Sequence, residues 1–433
     1  MPGHFGRRPP GARLAWRLDL TEVEGLDTLG APQGVLRDLV RRTAKVYGAE
    51  AAWLSVQGAT LPVLAGTLAL WPARATVAVE RHAHRSVLAA AALGDWDIRW
   101  VPAATDPEWG VLLPTPPERW AEVLAEPLDG VVVVQPTYEG LAYPLAEVVR
   151  RARAVGAVTF VDAAHASHWG RSPALPPHPL EAAPALVAHG LHKTEPALTQ
   201  TGLLLAGPDA PAERVDDAWR MLGTSSPSYL LLAAIEGYVA ARETGDGGWG
   251  RFAEEIVTVW EDGRRRGFRI LQDEWCRRGG TADPAKLTVR GNGRDMVMRL
   301  RRAGIEPEAW GPGWVTLVVG PAQGLPARFW RRFWDVIGPP AEPPAWWHAG
   351  GWPEPGPARL RPAAARGAVW ERVPLREARG RVAARPLTPY PPGIPAVVPG
   401  EEITEAWQET LTRLVAAGVV VEGVEEGSVW VVV

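Results

Sequence analysis

Two short runs decide the fold of this chain. Val158-Thr159-Phe160-Val161-Asp162 leads into Ala163-Ala164-His165, and Ala185-Leu186-Val187-Ala188-His189-Gly190 leads into Leu191-His192-Lys193-Thr194. Each is brief, apolar and rich in strand formers, and each ends on residues able to do chemistry. A continuous apolar run of this length, too short for a helix, reads as a strand buried on both faces. Working outward, similar runs occupy 52–56, 76–79, 98–101, 130–134, 157–161, 185–189 and 203–206, separated by helical stretches at 61–70, 84–93, 116–125 and 144–155. Strands alternating with helices predict an α/β protein with a mainly parallel sheet covered on both faces. Ligands of such sheets bind beyond the carboxyl ends of the strands, so the chemistry is expected in the turns that follow each strand.

The rest of the chain is organised around this core. Residues 1–33 are rich in Gly and Pro and read as an arm. The large domain spans 34–240. It opens with a helix whose apolar face carries Val35, Leu36, Leu39 and Val40, and it is left through a helix carrying Leu230 to Tyr238. A small α/β segment follows at 241–338, read as strand–helix–strand over 282–320. Residues 339–370, dense in Pro, Gly and Trp, read as a linker. A C-terminal domain at 371–433 holds a helix near 404–416 and a closing strand at 429–433.

Composition bounds the function. The 433 residues carry a net charge of −3, without the basic excess of a nucleic-acid binder. No window approaches the roughly 18 uninterrupted apolar residues of a membrane span, and Met1 to Arg13 lack the apolar core of a secretory signal. A cytoplasmic protein without membrane or nucleic-acid partners is expected. The lone Cys276 forms no internal disulfide. His165 and His168 have the spacing of a metal pair, but no nearby Cys or carboxylate completes a set, so no metal is expected. A Gly-Lys-Ser/Thr phosphate loop is absent, which argues against nucleotide hydrolysis.

Four features carry chemistry. Lys193 follows an apolar strand, where burial lowers an amine's pKa and lets it form an imine with an aldehyde. Taken alone, such a lysine reads more often as a surface residue, but lysine is rare here, and Lys45 and Lys286 lie outside the post-strand turns. Asp162 tips a buried strand, where a carboxylate needs a partner such as a protonated pyridine nitrogen; alone it reads equally as the cap of the next turn. His84, after strand 76–79, has a ring able to stack on a cofactor or to start a helix. Gly58-Ala59-Thr60 precedes a helix opening at Leu61-Pro62, and amides at a helix start bind anions. An anion loop, a stacking His, a strand-end Asp and a strand-end Lys, in that order, form the arrangement of a pyridoxal-phosphate site.

These residues sit in a sequence that resembles the Orn/Lys/Arg decarboxylase family in its short form, without an N-terminal receiver-like wing domain. The resemblance runs over nearly the whole chain. It is carried by Met1-Pro2-Gly3-His4, Asp19-Leu20-Thr21-Glu22, Gly25-Leu26-Asp27, Pro136-Thr137-Tyr138, Asp162 with His165, and His192-Lys193. It continues through Pro196 to Thr201, Thr224-Ser225-Ser226-Pro227-Ser228-Tyr229, Pro389 to Pro395 and Pro399-Gly400-Glu401. It implies a fold-type I aminotransferase-like large domain, a smaller C-terminal α/β domain, and a homodimer or higher homo-oligomer with active sites at the interface. It implies decarboxylation of lysine, arginine or ornithine with pyridoxal 5'-phosphate. Lys193 would be the Schiff-base lysine, Asp162 the partner of the ring nitrogen and His84 the stacking ring. His165 would lie near the ring and His192 would assist proton transfer. Ser225 to Ser228, Ser226 among them, would lie near the partner subunit's phosphate.

The chain also departs from the family's pattern. Ala59 and Gly190 replace residues that usually carry hydroxyls, Val63 replaces a common Asn, Phe5 a common Lys and Ala163 a common Glu. Phosphate grip is therefore expected from backbone amides with Thr60 and Thr194. The substrate's distal cation needs an acidic partner, for which Glu22, Glu24, Asp27 and Glu401 are the candidates. Transamination or a lyase step on the same scaffold, and a catalytically silent relative, are the rival readings.

Overall fold

The computed structural model describes residues 18–345, 352–390 and 393–433. The Met1-Pro2-Gly3-His4 motif, Phe5, part of the 339–370 stretch and Pro391-Pro392 lie outside the described residues. Helix α1 (Val35–Tyr47) buries Leu36, Leu39, Thr43 and Tyr47 along one face and ends at Gly48, whose φ of 65° suits glycine. Seven strands then build the central sheet: β1 (Ala51–Ser55), β2 (Thr76–Glu80), β3 (Asp97–Val101), β4 (Gly130–Val134) and, after the short β5 (Leu141–Ala142) outside it, β6 (Val158–Asp162), β7 (Leu186–Gly190) and β8 (Gly202–Ala206). Between them run α2 (Thr60–Leu70), α3 (Arg85–Gly94), α4 (Pro117–Val123) and α5 (Leu145–Ala154). The strand order is β1-β8-β7-β6-β4-β2-β3.

All neighbours from β7 to β3 pair in parallel, while β8 runs against both β7 and β1. The connection 191–201 is too short to carry a crossover helix, so the chain must return antiparallel. That constraint places the Lys193 turn at the sheet's chemical edge. The apolar strands are buried on both faces because core clusters lie on each side, one with Val131, Val161 and Val187, the other with Val132, Phe160 and Leu186. Helix α2 is apolar almost all round and correspondingly buried between the sheet, α3 and α6 (Ala212–Leu222).

Helix α7 (Tyr229–Thr244) leads to the small unit: α8 (Trp249–Arg265), α9 (Leu271–Arg277), β9 (Thr281–Ala282), β10 (Lys286–Arg290), α10 (Gly293–Arg302), β11 (Ala309–Gly311), β12 (Trp314–Val318) and α11 (Ala327–Ile337). Its antiparallel sheet, in the order β10-β12-β11, packs on Trp249, Ile256, Phe333 and Trp334. The strand–helix–strand reading missed β11, which forms a hairpin with β12 across Pro312-Gly313. Within the Pro/Gly/Trp-rich stretch the structure adds α12 (Pro362–Gly367), started by Pro362 and packed on α3. The final segment pairs β13 (Trp370–Pro374) with β16 (Ser428–Val432) and β14 (Thr388–Tyr390) with β15 (Val420–Glu422), around α13 (Glu405–Ala416). Among the described residues no helix is long and apolar enough to cross a membrane.

Candidate active site

A cavity of about 520 Å³ opens at the carboxyl ends of the parallel strands. It is lined by Gly58, Ala59 and Thr60 after β1, His84 and Ser86 after β2, Tyr138 after β4, Asp162 and His165 from β6, and His192 and Lys193 after β7. Residues distant in sequence therefore meet where the sheet geometry requires.

Asp162 is buried at the tip of β6, accepts the Ala164 N–H at 3.2 Å and faces the cavity. Burial pushes its pKa up to about 6, against the Ala164 hydrogen bond and the charge of Lys193, which favour the ionised form. His84 caps α3: its Nδ1 accepts the Ser86 N–H at 3.2 Å and meets the Ser86 hydroxyl at 2.8 Å. Burial, with the charges of Lys193 and Arg85, brings its pKa down to about 4, so the ring is neutral at pH 7. His192 has Nδ1 3.0 Å from the Thr201 carbonyl, which places a proton on Nδ1 and turns Nε2 away from that carbonyl. His165 is held well below the ordinary imidazole range by burial and the charge of Lys286.

Gly58, at φ 63°, lets the chain turn from β1 into α2, whose N-cap Ala59 offers no side-chain cap. The first amides of α2 have no partner within the helix and border the cavity, a ready anion site. Gly190 is close-packed: a Cβ there would lie 3.1 Å from Lys193 Cγ, 3.2 Å from the Ala164 carbonyl and 3.7 Å from Ala59 Cβ. The glycine and Ala59 lie together, and the backbone approaches the Lys193 turn where a hydroxyl-bearing side chain would crowd it.

Several sequence expectations fall elsewhere. Thr194 does not line the cavity; its hydroxyl lies 3.1 Å from both Ser167 Oγ and His168 Nδ1. A residue next to a ligand residue in a tight turn points the other way. Asp27 accepts N–H groups from Thr28, Gln33, Gly34 and Leu36 and so organises the start of α1. Glu22 accepts the Leu29 N–H at 3.1 Å, and Glu24 is exposed. Glu401 is buried in an ion pair with Arg81 at 2.9 Å. None of these four lines the cavity within this chain. Ser226 is exposed in the loop before α7, outside the cavity, although Thr224 N–H reaches Gln57 Oε1, on its rim, at 3.0 Å.

Among the described residues, the acidic residue that does border the cavity, besides Asp162, is Glu308, just before β11; it accepts the Tyr138 hydroxyl at 2.8 Å. No motif surrounds it, and β11 itself was not foreseen. Behind the lining stand Lys286, with Nζ 3.2 Å from His165 Nδ1, and Asp283, with Oδ1 2.8 Å from His168 Nε2. The one usable signal was the rarity of lysine: Lys45 is exposed on α1, whereas Lys286 is fully buried.

This site fits pyridoxal phosphate. A buried carboxylate pushed up in pKa matches a ring cation, uncapped helix amides match a phosphate, a neutral imidazole matches a ring face, and an amine shares the cavity.

Comparison with known proteins supports the assignment. The family model described as Orn/Lys/Arg decarboxylase, major domain, matches residues 12–279, and that of the family's C-terminal domain matches 356–421. The arginine decarboxylase of Bacillus subtilis is 28% identical over 435 residues, covering 96% of this chain and 88% of the relative. The constitutive lysine decarboxylase of E. coli superposes with a TM-score of 0.77 at 18% identity, covering 94% of this chain and 73% of that one. A serine palmitoyltransferase solved with pyridoxal phosphate superposes with a TM-score of 0.53 at 17% identity, over 70% of this chain and 77% of that one. These likenesses establish the fold-type I architecture.

Proposed function

Because the chain belongs to the Orn/Lys/Arg decarboxylase family, we propose that it removes the α-carboxylate of lysine, arginine or ornithine, using pyridoxal phosphate held by Lys193. The observation that carries this reading is that Lys193 and Asp162 open onto one cavity between adjacent parallel strands, with the α2 amides on the same wall. When bound, the cofactor supplies an aldehyde for amines and a ring that accepts the electron pair left as CO₂ departs.

This chain's residues do the rest. Asp162 is the counter-ion that keeps a proton on the ring nitrogen, which stabilises the carbanionic transition state more than the ground state. The neutral His84 ring packs on the cofactor without competing for that charge. The amides of Ala59 and Thr60, with the Thr60 hydroxyl, hold the phosphate. Lys193 would hold the cofactor's aldehyde carbon, and Lys193 or His192 would hold the proton that Cα receives. Glu308 takes the distal cation of the substrate, since it is an exposed carboxylate in the lining that also holds Tyr390, Gly393 and Ile394. Two copies of the chain assemble around the 224–228 loop, exposed at Thr224 to Ser226, whose residues complete the partner's phosphate site. Parallel CO₂-release assays on lysine, arginine and ornithine without a keto-acid acceptor test the reading. Release that depends on Lys193 sustains it, whereas acceptor-dependent turnover or inactivity on all three overturns it.

A further inference from the structure

Lys286 is a fully buried lysine in a chain that otherwise places its cations almost entirely on arginine: it is one of three lysines among 46 Lys and Arg residues. It starts β10 directly after the Asp283 turn, where Lys286 N–H bonds the Asp283 carbonyl at 3.1 Å. Gly140 makes room for its stem: a Cβ on that glycine would lie 2.6 Å from Lys286 Cγ. The stem thus threads from the small unit between large-domain loops. Its Nζ ends 3.2 Å from His165 Nδ1 and 5.1 Å from the centre of the Tyr138 ring. Tyr138 also packs edge-on against His165, with ring centres 5.2 Å apart.

We infer that Lys286 is a positioning residue whose ammonium donates to Nδ1 of His165, fixing the imidazole proton on Nε2 and presenting an N–H donor at the cavity. The surroundings support this direction of donation. Lys286 faces the carboxylates of Glu308, Asp283 and Glu139 and the π face of Tyr138, all of which favour an ammonium. Burial, the largest influence, and Lys193 oppose it, and on balance the amine sits below the ordinary lysine pKa. The charges facing His165 are Lys286, Lys193, His84 and His192, none of which stabilises an imidazolium. A neutral imidazole carries one N–H, so an ammonium at Nδ1 leaves the proton on Nε2. Lysine suits the task as a compact point charge on a slender stem. The donor so fixed can hold an oxygen of the cofactor or of the substrate's carboxylate.

The catalytic meaning of this donor rests on the decarboxylase reading, but its existence does not. The test is imidazole ¹⁵N NMR on the full chain, with the His165 signal assigned by its loss in His165→Gln. The expected result is an Nε2–H tautomer that does not titrate between about pH 5.5 and 8, and mixed tautomers or a titrating ring in Lys286→Met. An Nδ1–H tautomer, or an unchanged signal in Lys286→Met, overturns the inference while leaving the decarboxylase reading intact. Should Lys286→Met fail to fold, paired His165 variants decide. Gln carries its amide nitrogen near the Nε2 position and Asn near Nδ1, so His165→Gln should retain about tenfold more kcat than His165→Asn. Equal or reversed losses overturn the inference, and absence of decarboxylation in the wild-type chain overturns only the proposed function.

Discussion

Replacing Asp162 by Asn is expected to move stability and activity in opposite directions. In the protein without cofactor the carboxylate is buried, and burial raises its pKa from 3.8 to about 6. That difference corresponds to roughly 3 kcal/mol, at about 1.4 kcal/mol per pH unit. The sign follows from proton binding. Between those two values the folded state holds a proton that the unfolded state has lost, so stability falls as pH rises through this window and stays low above it. Asn keeps the oxygen that accepts the Ala164 N–H but carries no charge. Cofactor-free Asp162→Asn should therefore match the wild type near pH 4 and exceed it by up to roughly 3 kcal/mol near pH 8. With cofactor and substrate present, loss of the counter-ion should lower kcat by about 100- to 1,000-fold. Urea unfolding of both cofactor-free proteins across pH 4–8, together with CO₂ release, measures both effects. A variant less stable than the wild type at pH 8, or one retaining kcat within about threefold, refutes the reasoning.

Glu308→Gln should raise KM for the basic amino acid about ten- to a hundredfold with a smaller change in kcat, as expected for loss of one charged hydrogen bond to the substrate; steady-state kinetics decide. Glu401→Gln should leave KM unchanged but lower stability by about 3–5 kcal/mol, because it leaves Arg81 buried without its counter-ion; denaturation and kinetics on the same sample separate this from a substrate role. His84→Phe should keep more activity than His84→Ala, because the ring is already neutral above about pH 4. The Ala variant should lose roughly 0.5–1.5 kcal/mol of stacking in cofactor affinity, read by titrating the cofactor's visible absorbance.

The large domain was legible because its strands are buried on both faces and announce themselves as short apolar runs. All seven appear within about one residue of their expected positions. The site residues that end those strands were legible for the same reason: a charged or aromatic residue directly after a buried strand has few places to go. Where the sequence misled, adjacency was the cause. Thr194 borders Lys193 in sequence, yet the 191–193 turn sends its hydroxyl to His168. Asp27 and Glu401 are acidic residues in distinctive strings, but their carboxylates hold local structure: the start of α1 in one case, a buried arginine in the other. Glu308 and Lys286 come from the small unit, where the alternating pattern fades and only packing brings them to the sheet edge.

The contribution of that unit bears on which part of the chain can act alone. Two contacts from it reach cavity-lining residues, Lys286 to His165 and Glu308 to Tyr138, and a third, Asp283 to His168 and on to Thr194, ends on the residue next to Lys193. Each sets an ionisable side chain of the small unit against a ring of the large domain. Removing the unit would leave His168 buried against Thr194 without its carboxylate, remove the Lys286 contact to His165, and strip the cavity of Glu308. The 18–244 segment would still contain Lys193, Asp162 and the α2 amides. On the function proposed above it keeps what a cofactor needs to bind but lacks the groups assigned to orienting His165 and receiving a substrate cation. On the function proposed above, cofactor capture belongs to the parallel sheet, whereas substrate choice and proton placement belong to the α/β unit that follows it.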